Sequence, residues 1–226
     1  MAKSKWATVM EHADLGKGVH RVTVEADEDT HHVAGNYVIL RTTLTNPDKP
    51  EDVLKRAYSI STPPDPDRPR HFSFTIVSVG STSAWLAARR PGDRVEFSGP
   101  WGRKFRAQPD DPAGPVHLFA TGTGWSPIGA MARVRHQSDG GAVGVWWQVD
   151  QPYDADVLEQ LSADPRFTVV TGPSVDGQVP ADPSALYFLA GDGHAVLPLA
   201  QRLVAAGVPA AQVRTEYFFH KPPKPK

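Results

Sequence analysis

Leu118-Phe-Ala-Thr-Gly-Thr-Gly-Trp-Ser-Pro127 reads as a strand, a tight turn built on two glycines and the first turn of a helix. Proline is tolerated in a first helical turn because the N–H it lacks has no intrahelical acceptor there. The same rhythm continues outward. The strand 116–120 leads to a helix over 127–136, the strand 142–149 to a helix over 154–161, the strand 167–171 stands alone, 186–190 leads to a helix over 195–206, and 214–219 closes the series. Strands that alternate with helices in this way predict a parallel, helix-covered sheet. Gly207 stands where a helix C-cap is expected.

Upstream the pattern is different. Residues 6–12, 18–25, 37–42, 56–60, 72–79 and 94–98 alternate or cluster β-branched and aromatic side chains between turn signals, as short strands do. One helix, 83–89, interrupts them before Pro91-Gly92-Asp93 ends it and begins a turn. Pro109-Asp-Asp-Pro-Ala-Gly-Pro115 denies both helix and ladder bonds and is the best linker in the chain. The expectation is a six-stranded antiparallel barrel over residues 1–108 and a parallel α/β domain over 109–226. The end, His220-Lys-Pro-Pro-Lys-Pro-Lys226, reads as a solvated, disordered tail.

Composition narrows the function. At 226 residues, 40% apolar and 9% aromatic, the chain has material for two cores. A net charge of −1 gives no global field that draws it onto nucleic acid or anionic lipid, so neither is expected as a partner. The longest apolar runs, 143–147 and 185–190, are strand-sized and far short of the ~20 residues that cross a bilayer. Met1-Ala-Lys-Ser-Lys-Trp6 opens without the apolar stretch of a signal peptide, which makes a cytoplasmic location the expectation. Zero cysteines exclude disulfides, thiolate chemistry and a cysteine-ligated iron–sulfur cluster within these residues. A redox centre must then be organic or brought by a partner.

Three constellations carry chemistry. Arg56-Ala57-Tyr58-Ser59 lies at a strand end, where alternation puts Arg56 and Tyr58 on one face and Ala57 and Ser59 on the other. A guanidinium grips a diphosphate with two bonds, and the phenol beside it offers a flat surface and a hydroxyl. Taken alone, the same residues describe an edge strand with an exposed arginine. Val77 belongs to the strand that runs into Gly80-Ser81-Thr82-Ser83, a tight turn opening a helix whose first N–H groups point at any anion placed there. Taken alone, that is an ordinary N-cap. The third is the opening stretch: Thr121, Gly122, Thr123, Gly124 and Pro127 form a second phosphate cradle at a helix start. It does not fit Gly-x-Gly-x-x-Gly, because Pro127 occupies the last slot.

In order and spacing these motifs, with Gly92-Asp-Arg-Val-Glu-Phe-Ser-Gly-Pro-Trp-Gly102, resemble the ferredoxin-NADP reductase superfamily, in its compact bacterial type without an iron–sulfur domain. The resemblance runs from about Trp6 to Phe219. It implies FAD as cofactor, with Arg56 and the Gly80 to Ser83 turn on its pyrophosphate, Tyr58 along the isoalloxazine and Ser59 approaching flavin N5. Ala57 and Val77 join the same binding set, and Ala34-Gly-Asn-Tyr-Val38 looks like the strand leading to it, with Asn36 where Gln is commoner. The loop 63–70 offers a support for the adenosine. Gly-Thr-Gly-x-x-Pro at 122–127 resembles the nicotinamide nucleotide loop, with Trp125 a bulky departure. Asp150 falls where the family often has arginine; a carboxylate suits a free ribose hydroxyl and repels a 2′-phosphate, which tilts the expectation from NADPH toward NADH, a turn residue being the bland alternative. Ala190-Gly191-Asp192-Gly193-His194 stands where the family has Cys-Gly-x-x beneath the nicotinamide, with Ala190 in place of the cysteine and His194 read as a cap or solvent residue. Glu216 takes the place of the acid near N5, and Phe218 or Phe219 that of the aromatic that shields the flavin.

The resemblance therefore implies a flavoprotein of the ferredoxin/flavodoxin-NAD(P) reductase type, passing electrons between NAD(P)H and a one-electron carrier. Ser59, Glu216 and Phe218 are the implied catalytic residues, and ferredoxin or flavodoxin the implied partner. Lys3, Lys5, Arg103, Lys104 and Arg106 offer a basic docking surface for an acidic carrier or, singly, a solvated face. Three readings stay open beside this one: a free-flavin or siderophore-iron reductase, a flavin-binding electron-transfer or regulatory subunit of a larger complex, and a binding module whose chemistry has decayed.

Overall fold

The computed structural model of the chain describes residues 4–220. Two compact units make it up, Met1–Arg103 and Lys104–Lys226. The division falls ahead of the proline-rich segment. That segment belongs to the second unit because Phe105 packs edge-on to Phe188, with ring centroids 5.4 Å apart, and Asp111 pairs with Arg214. Residues 1–3 and 221–226, which include Lys3 and most of the expected tail, lie outside the described residues.

The first unit contains β1 (Lys5–Gly16), β2 (Val19–Ala26), β3 (Tyr37–Asn46), β4 (Lys49–Ser59), β5 (His71–Val77), α1 (Ser81–Ala87) and β6 (Arg94–Trp101). Its strands form one six-stranded antiparallel sheet in the order β4-β3-β6-β1-β2-β5. The two edge strands meet at a single bridge, Ile60 to Phe74, which rolls the sheet into a barrel. Inward-facing Val22, Val24, Val38, Leu40, Phe72, Phe74, Val95 and Phe97 fill it. Phe72 touches Phe74 and Phe97 edge-on at 5.3 and 5.5 Å, a preferred arrangement of ring quadrupoles. α1 packs against β2, β3, β4 and β5, burying Trp85 and Leu86 in the same core. The strands β3 and β4 run further than expected, to Asn46 and from Lys49. The added hairpin is exposed over most of its length, so no hydrophobic alternation marks it in the sequence.

The second unit contains β7 (Val116–Thr121), α2 (Trp125–His136), β8 (Val143–Gln148), α3 (Ala155–Ala163), β9 (Phe167–Gly172), β10 (Leu186–Asp192), α4 (Gly193–Ala205) and β11 (Val213–Phe219). All four strand pairings are parallel and the order is β11-β10-β7-β8-β9. From β7 the chain winds outward through β8 and β9, then returns to the other side of β7 through β10 and β11. Neighbouring residues show the two faces. Trp146 joins the cluster under α4 with Phe119, Tyr187, Leu189, Val196, Leu199 and Leu203, while Trp147 points the other way and stacks on Trp125 of α2. Gly207, at φ +97, ends α4 where the sequence places the stop, and the Val208 amide reaches back to the Leu203 carbonyl. No helix among the described residues is long and apolar enough to cross a membrane.

Each unit holds a neutral core histidine. Burial lowers the pKa of His32 beside Phe72, and burial likewise lowers that of His117, wedged between Trp146 and Tyr187 at 5.1 and 4.9 Å, with Asp182 opposing. The unfolded chain then takes up protons more readily than the folded one. Stability is full above the ordinary histidine value near 6.5 and is lost as the pH falls below it. The thermal unfolding midpoint is expected to drop between pH 7.5 and 5.5, and His117→Phe to show a smaller drop; calorimetry at the two pH values checks this.

Candidate functional site

In the first unit the candidate residues gather at the seam where the barrel closes. β4 and β5 are the sheet edges, joined at Ile60 and Phe74. Carried on from that bridge, the antiparallel register sets Ala57 across from Val77 and Arg56 across from Ser78, just before Gly80. No ladder continues there, so the seam opens between the Arg56 to Ser59 strand end and the Val77 to Ser83 turn. Tyr58 is half-buried against the core, its ring 6.2 Å from that of Phe74. Burial pushes its phenol up to about 12, with the neighbouring Arg56 guanidinium opposing, so at neutral pH the hydroxyl is a protonated donor. Arg56 is exposed and donates to the Lys55 carbonyl at 2.9 Å, and Ser59 is buried opposite Tyr37.

The helix start beside the seam is partly committed. Ser83 Oγ accepts from the amides of Val79 and Gly80 at 3.1 and 3.0 Å and donates to the Gly80 carbonyl. Ser83 thus caps its own helix, as the bland reading had it. Gly80 and Ser81 are exposed, Thr82 is buried, and a Cβ at Gly80 would meet nothing within 4 Å. What the turn offers a ligand is its backbone and open space. Asn36 is buried and structural: its amide donates to the Gly102 carbonyl at 2.9 Å and accepts from Val33 N at 3.0 Å. The 63–70 loop is organised on Asp65, whose carboxyl the Arg68 side chain and the Asp67 amide hold below the usual carboxylate range.

In the second unit the candidates converge between β7 and β10, the neighbouring strands from which the chain winds in opposite directions. Ligands of open α/β sheets bind at this switch point, outside the carboxyl ends of the strands. Thr121 ends β7, and its hydroxyl accepts from Asp192 N at 2.7 Å, tying the two strand ends together. A Cβ at Gly191 (φ +131) would lie 2.2 Å from Thr121 Oγ1, and one at Gly124 2.2 Å from the Ala190 carbonyl oxygen. Both positions therefore require glycine. Gly122, at φ +50, is exposed and has open space where a Cβ would be. Thr123 and Pro127 are buried. Asp192 caps α4 by accepting from His194 N at 2.9 Å. Partial burial works against its charge, yet the His194 amide and the His220 ring hold the carboxyl below its usual range.

Trp125, a departure in the sequence, is resolved by its surroundings. Its indole is 2% exposed, stacks on Trp147 at 4.4 Å with an 8° tilt, and donates to buried Asp154 at 2.7 Å. Gly129, one turn on, makes the room, since a Cβ there would lie 2.8 Å from the indole. Trp125 therefore points into the core, and the turn outside it stays open. Trp147 in turn donates to the Gly122 carbonyl at 2.9 Å and fixes the turn from beneath. Sequence reading missed this lock, although Trp125 and Gly129 stand at helical spacing.

The remaining candidates spread along the same strand ends. Asp150 is exposed just after β8. Glu216 is half-buried on β11 opposite Ala190. Phe218 falls in a bulge, because Gly191 pairs with Tyr217 and Asp192 with Phe219, and Phe219 is 40% exposed. Lys5 lies on β1, while Arg103 and Lys104 are exposed and Arg106 half-exposed.

No family model matches the chain. It is 35% identical over 138 residues to an aromatic O-demethylase reductase subunit from an Amycolatopsis species, across 58% of this chain and 39% of that protein. It is 33% identical over 109 residues to ferredoxin–NADP reductase B of Sorangium cellulosum, across 48% of this chain and 43% of that one. The matched stretch thus spans about two fifths of these curated relatives. Among solved structures, an Amycolatopsis cytochrome P450 reductase superposes with a TM-score of 0.77 at 25% identity, over 96% of this chain and 70% of that chain.

Gly124→Ala drives a methyl group into the Ala190 carbonyl, whereas Gly141 has open space around it. Urea titration is expected to show Gly124→Ala losing about 1–3 kcal/mol, the usual cost of overpacking, and Gly141→Ala changing by less than about 0.5 kcal/mol. In its antiparallel barrel, its parallel switch-point domain and its sequence relatives, the chain is similar to the ferredoxin-NADP reductase superfamily.

Proposed function

We propose that the chain is the flavin- and nucleotide-binding part of a reductase that draws electrons from NAD(P)H and passes them to a protein acceptor, a ferredoxin or flavodoxin. The observation that carries the reading is the open barrel seam, where an exposed guanidinium, a protonated phenol and a glycine-opened helix start flank one gap. Those groups fit a flavin diphosphate and ring. When bound, FAD supplies the conversion of two-electron hydride chemistry into single-electron steps.

The chain's own residues do the rest. Arg56 would neutralise the diphosphate, and the amides of the Gly80 to Ser83 turn that Ser83 Oγ does not occupy would donate to its oxygens, as at a helix start. Tyr58, with Ala57 and Val77 at the seam, supports the ring, and Ser59 donates a hydrogen bond beside it. In the second unit, Thr121 to Gly124 and Pro127 hold the nucleotide diphosphate, and Gly191 and Asp192 line the nicotinamide end. Glu216 and Phe218, on β11, are the residues of this unit assigned to the chemistry, Glu216 as a carboxyl group able to relay a proton and Phe218 as an aromatic cover. Asp150 favours NADH, because its carboxylate accepts from a ribose hydroxyl and repels a 2′-phosphate.

The relatives' names widen the choice of acceptor. The Amycolatopsis match is a demethylase reductase subunit and another structural neighbour is the ferredoxin reductase of carbazole 1,9a-dioxygenase, so an oxygenase component is the second reading.

The test is a visible spectrum of the purified protein with FAD, followed by titration with NADH and NADPH without oxygen. Bleaching of the flavin by NADH at lower concentration than NADPH is expected, and failure to bind FAD would refute the reading. Arg56→Ala removes charge-assisted bonds worth about 1.5–3 kcal/mol, so its FAD affinity should fall about 10- to 100-fold. Asp150→Arg should move the NADH-to-NADPH preference by about tenfold toward NADPH in initial rates.

A further inference from the structure

At the end of β10 three ligand-type side chains stand together for which the reductase reading has no joint use. Asp192, His194 and His220 each present one ligand atom, and these atoms lie within 4.8 Å of one another. His220 Nδ1 is 2.9 Å from Asp192 Oδ1, and His194 Nδ1 is 3.9 Å from the same oxygen. The two imidazoles lie face to face, with centroids 4.0 Å apart and an 11° tilt. The side chains are 37%, 76% and 56% exposed in the order Asp192, His194, His220, so an ion reaches them from solvent.

The backbone builds this cluster from two distant segments. Asp192 and His194 open α4, with the Asp192 amide fixed by Thr121. His220 arrives from the end of β11 in the left-handed region, at φ 46. Gly193 permits the approach, since a Cβ there would lie 2.0 Å from the His220 carbonyl oxygen. His220, read in the sequence as the start of a solvated tail, is therefore held against the helix.

We propose that Asp192, His194 and His220 form a binding site for a divalent transition-metal ion, with zinc as the fitting ion. Two imidazoles, which are borderline nitrogen donors, together with one carboxylate oxygen form a mixed set that suits zinc, which in open sites binds three protein groups and keeps a fourth position for water. Bonds of about 2.0–2.1 Å in a tetrahedron put ligand atoms about 3.3 Å apart. Reaching that spacing requires the two exposed imidazoles to rotate out of their face-to-face stack. The ion takes the place of the hydrogen bond between His220 Nδ1 and Asp192, and a His220 ring bound through Nδ1 carries its proton on Nε2. A second stacked histidine pair, His12 and His20, carries no such site, because Arg90 sits 3.4 Å from His12 Nδ1 and repels a cation.

Equilibrium dialysis of the purified full chain against zinc chloride tests the site. One zinc per chain is expected, held at the Asp192, His194 and His220 cluster. His194→Ala and His220→Ala should each weaken binding at least about tenfold, and the double variant should take up none at this affinity. Both side chains lie largely in solvent, so circular dichroism should show the variants folded. Zinc should also raise the thermal midpoint of the parent by mass action, reversibly with EDTA, and leave that of the double variant unchanged. A parent that binds no zinc, or a double variant that binds it as tightly, would overturn the assignment.

Discussion

The second unit depends on the contact between the ends of β7 and β10. Gly124 faces the Ala190 carbonyl and Gly191 faces Thr121 at distances that leave no room for a Cβ. Without a side chain at either position the two strand ends close up, Thr121 receives the Asp192 amide, and α2 and α4 begin from one rigid edge. The indole lock acts on the same edge from inside, with Trp147 holding the Gly122 carbonyl and Trp125 filling the space under the turn. A glycine turn at a helix start offers a preformed set of donors only if its backbone does not relax, and these contacts supply that stiffness.

Much of this was legible in the sequence. The change from period-two strands to alternating strands and helices shows up as the two sheets, and Gly207 and Pro127 fall where helix ends require them. Legibility failed where a signal needs a distant partner. The β3–β4 hairpin lacks a buried face and so lacks a pattern. Trp125 looked misplaced because its acceptor, Asp154, and its stacking partner, Trp147, lie far along the chain. His220 sits in a stretch of lysines and prolines whose composition speaks for solvent, and only the close approach at Gly193 draws it in. The seam residues were legible as a motif, but their gathering was not, because it follows from the Ile60–Phe74 bridge that closes the sheet.

The first unit places its polar chemistry where its ladder stops. A closed barrel satisfies its own edges, so groups able to meet a ligand must come from the gap in closure or from the helix that covers it. Arg56 stands exposed at the gap, Tyr58 is half-buried there with its phenol pushed up by burial, and Ser83 spends its hydroxyl on holding the helix start in place. Rigidity and availability are thus divided between neighbouring residues of one turn.

The outer part of the β3–β4 hairpin stands apart from these constraints. Its tip runs Asn46-Pro47-Asp48-Lys49, with Asn46 accepting from the Asp48 amide at 3.1 Å, and residues 49–52 are all exposed. Closing a longer loop at such a tip costs only about 0.6 kcal/mol for each doubling of its length. The chain therefore carries a port at which a peptide tag, a fluorophore attachment site or a tether to a second protein can be spliced in without disturbing either core.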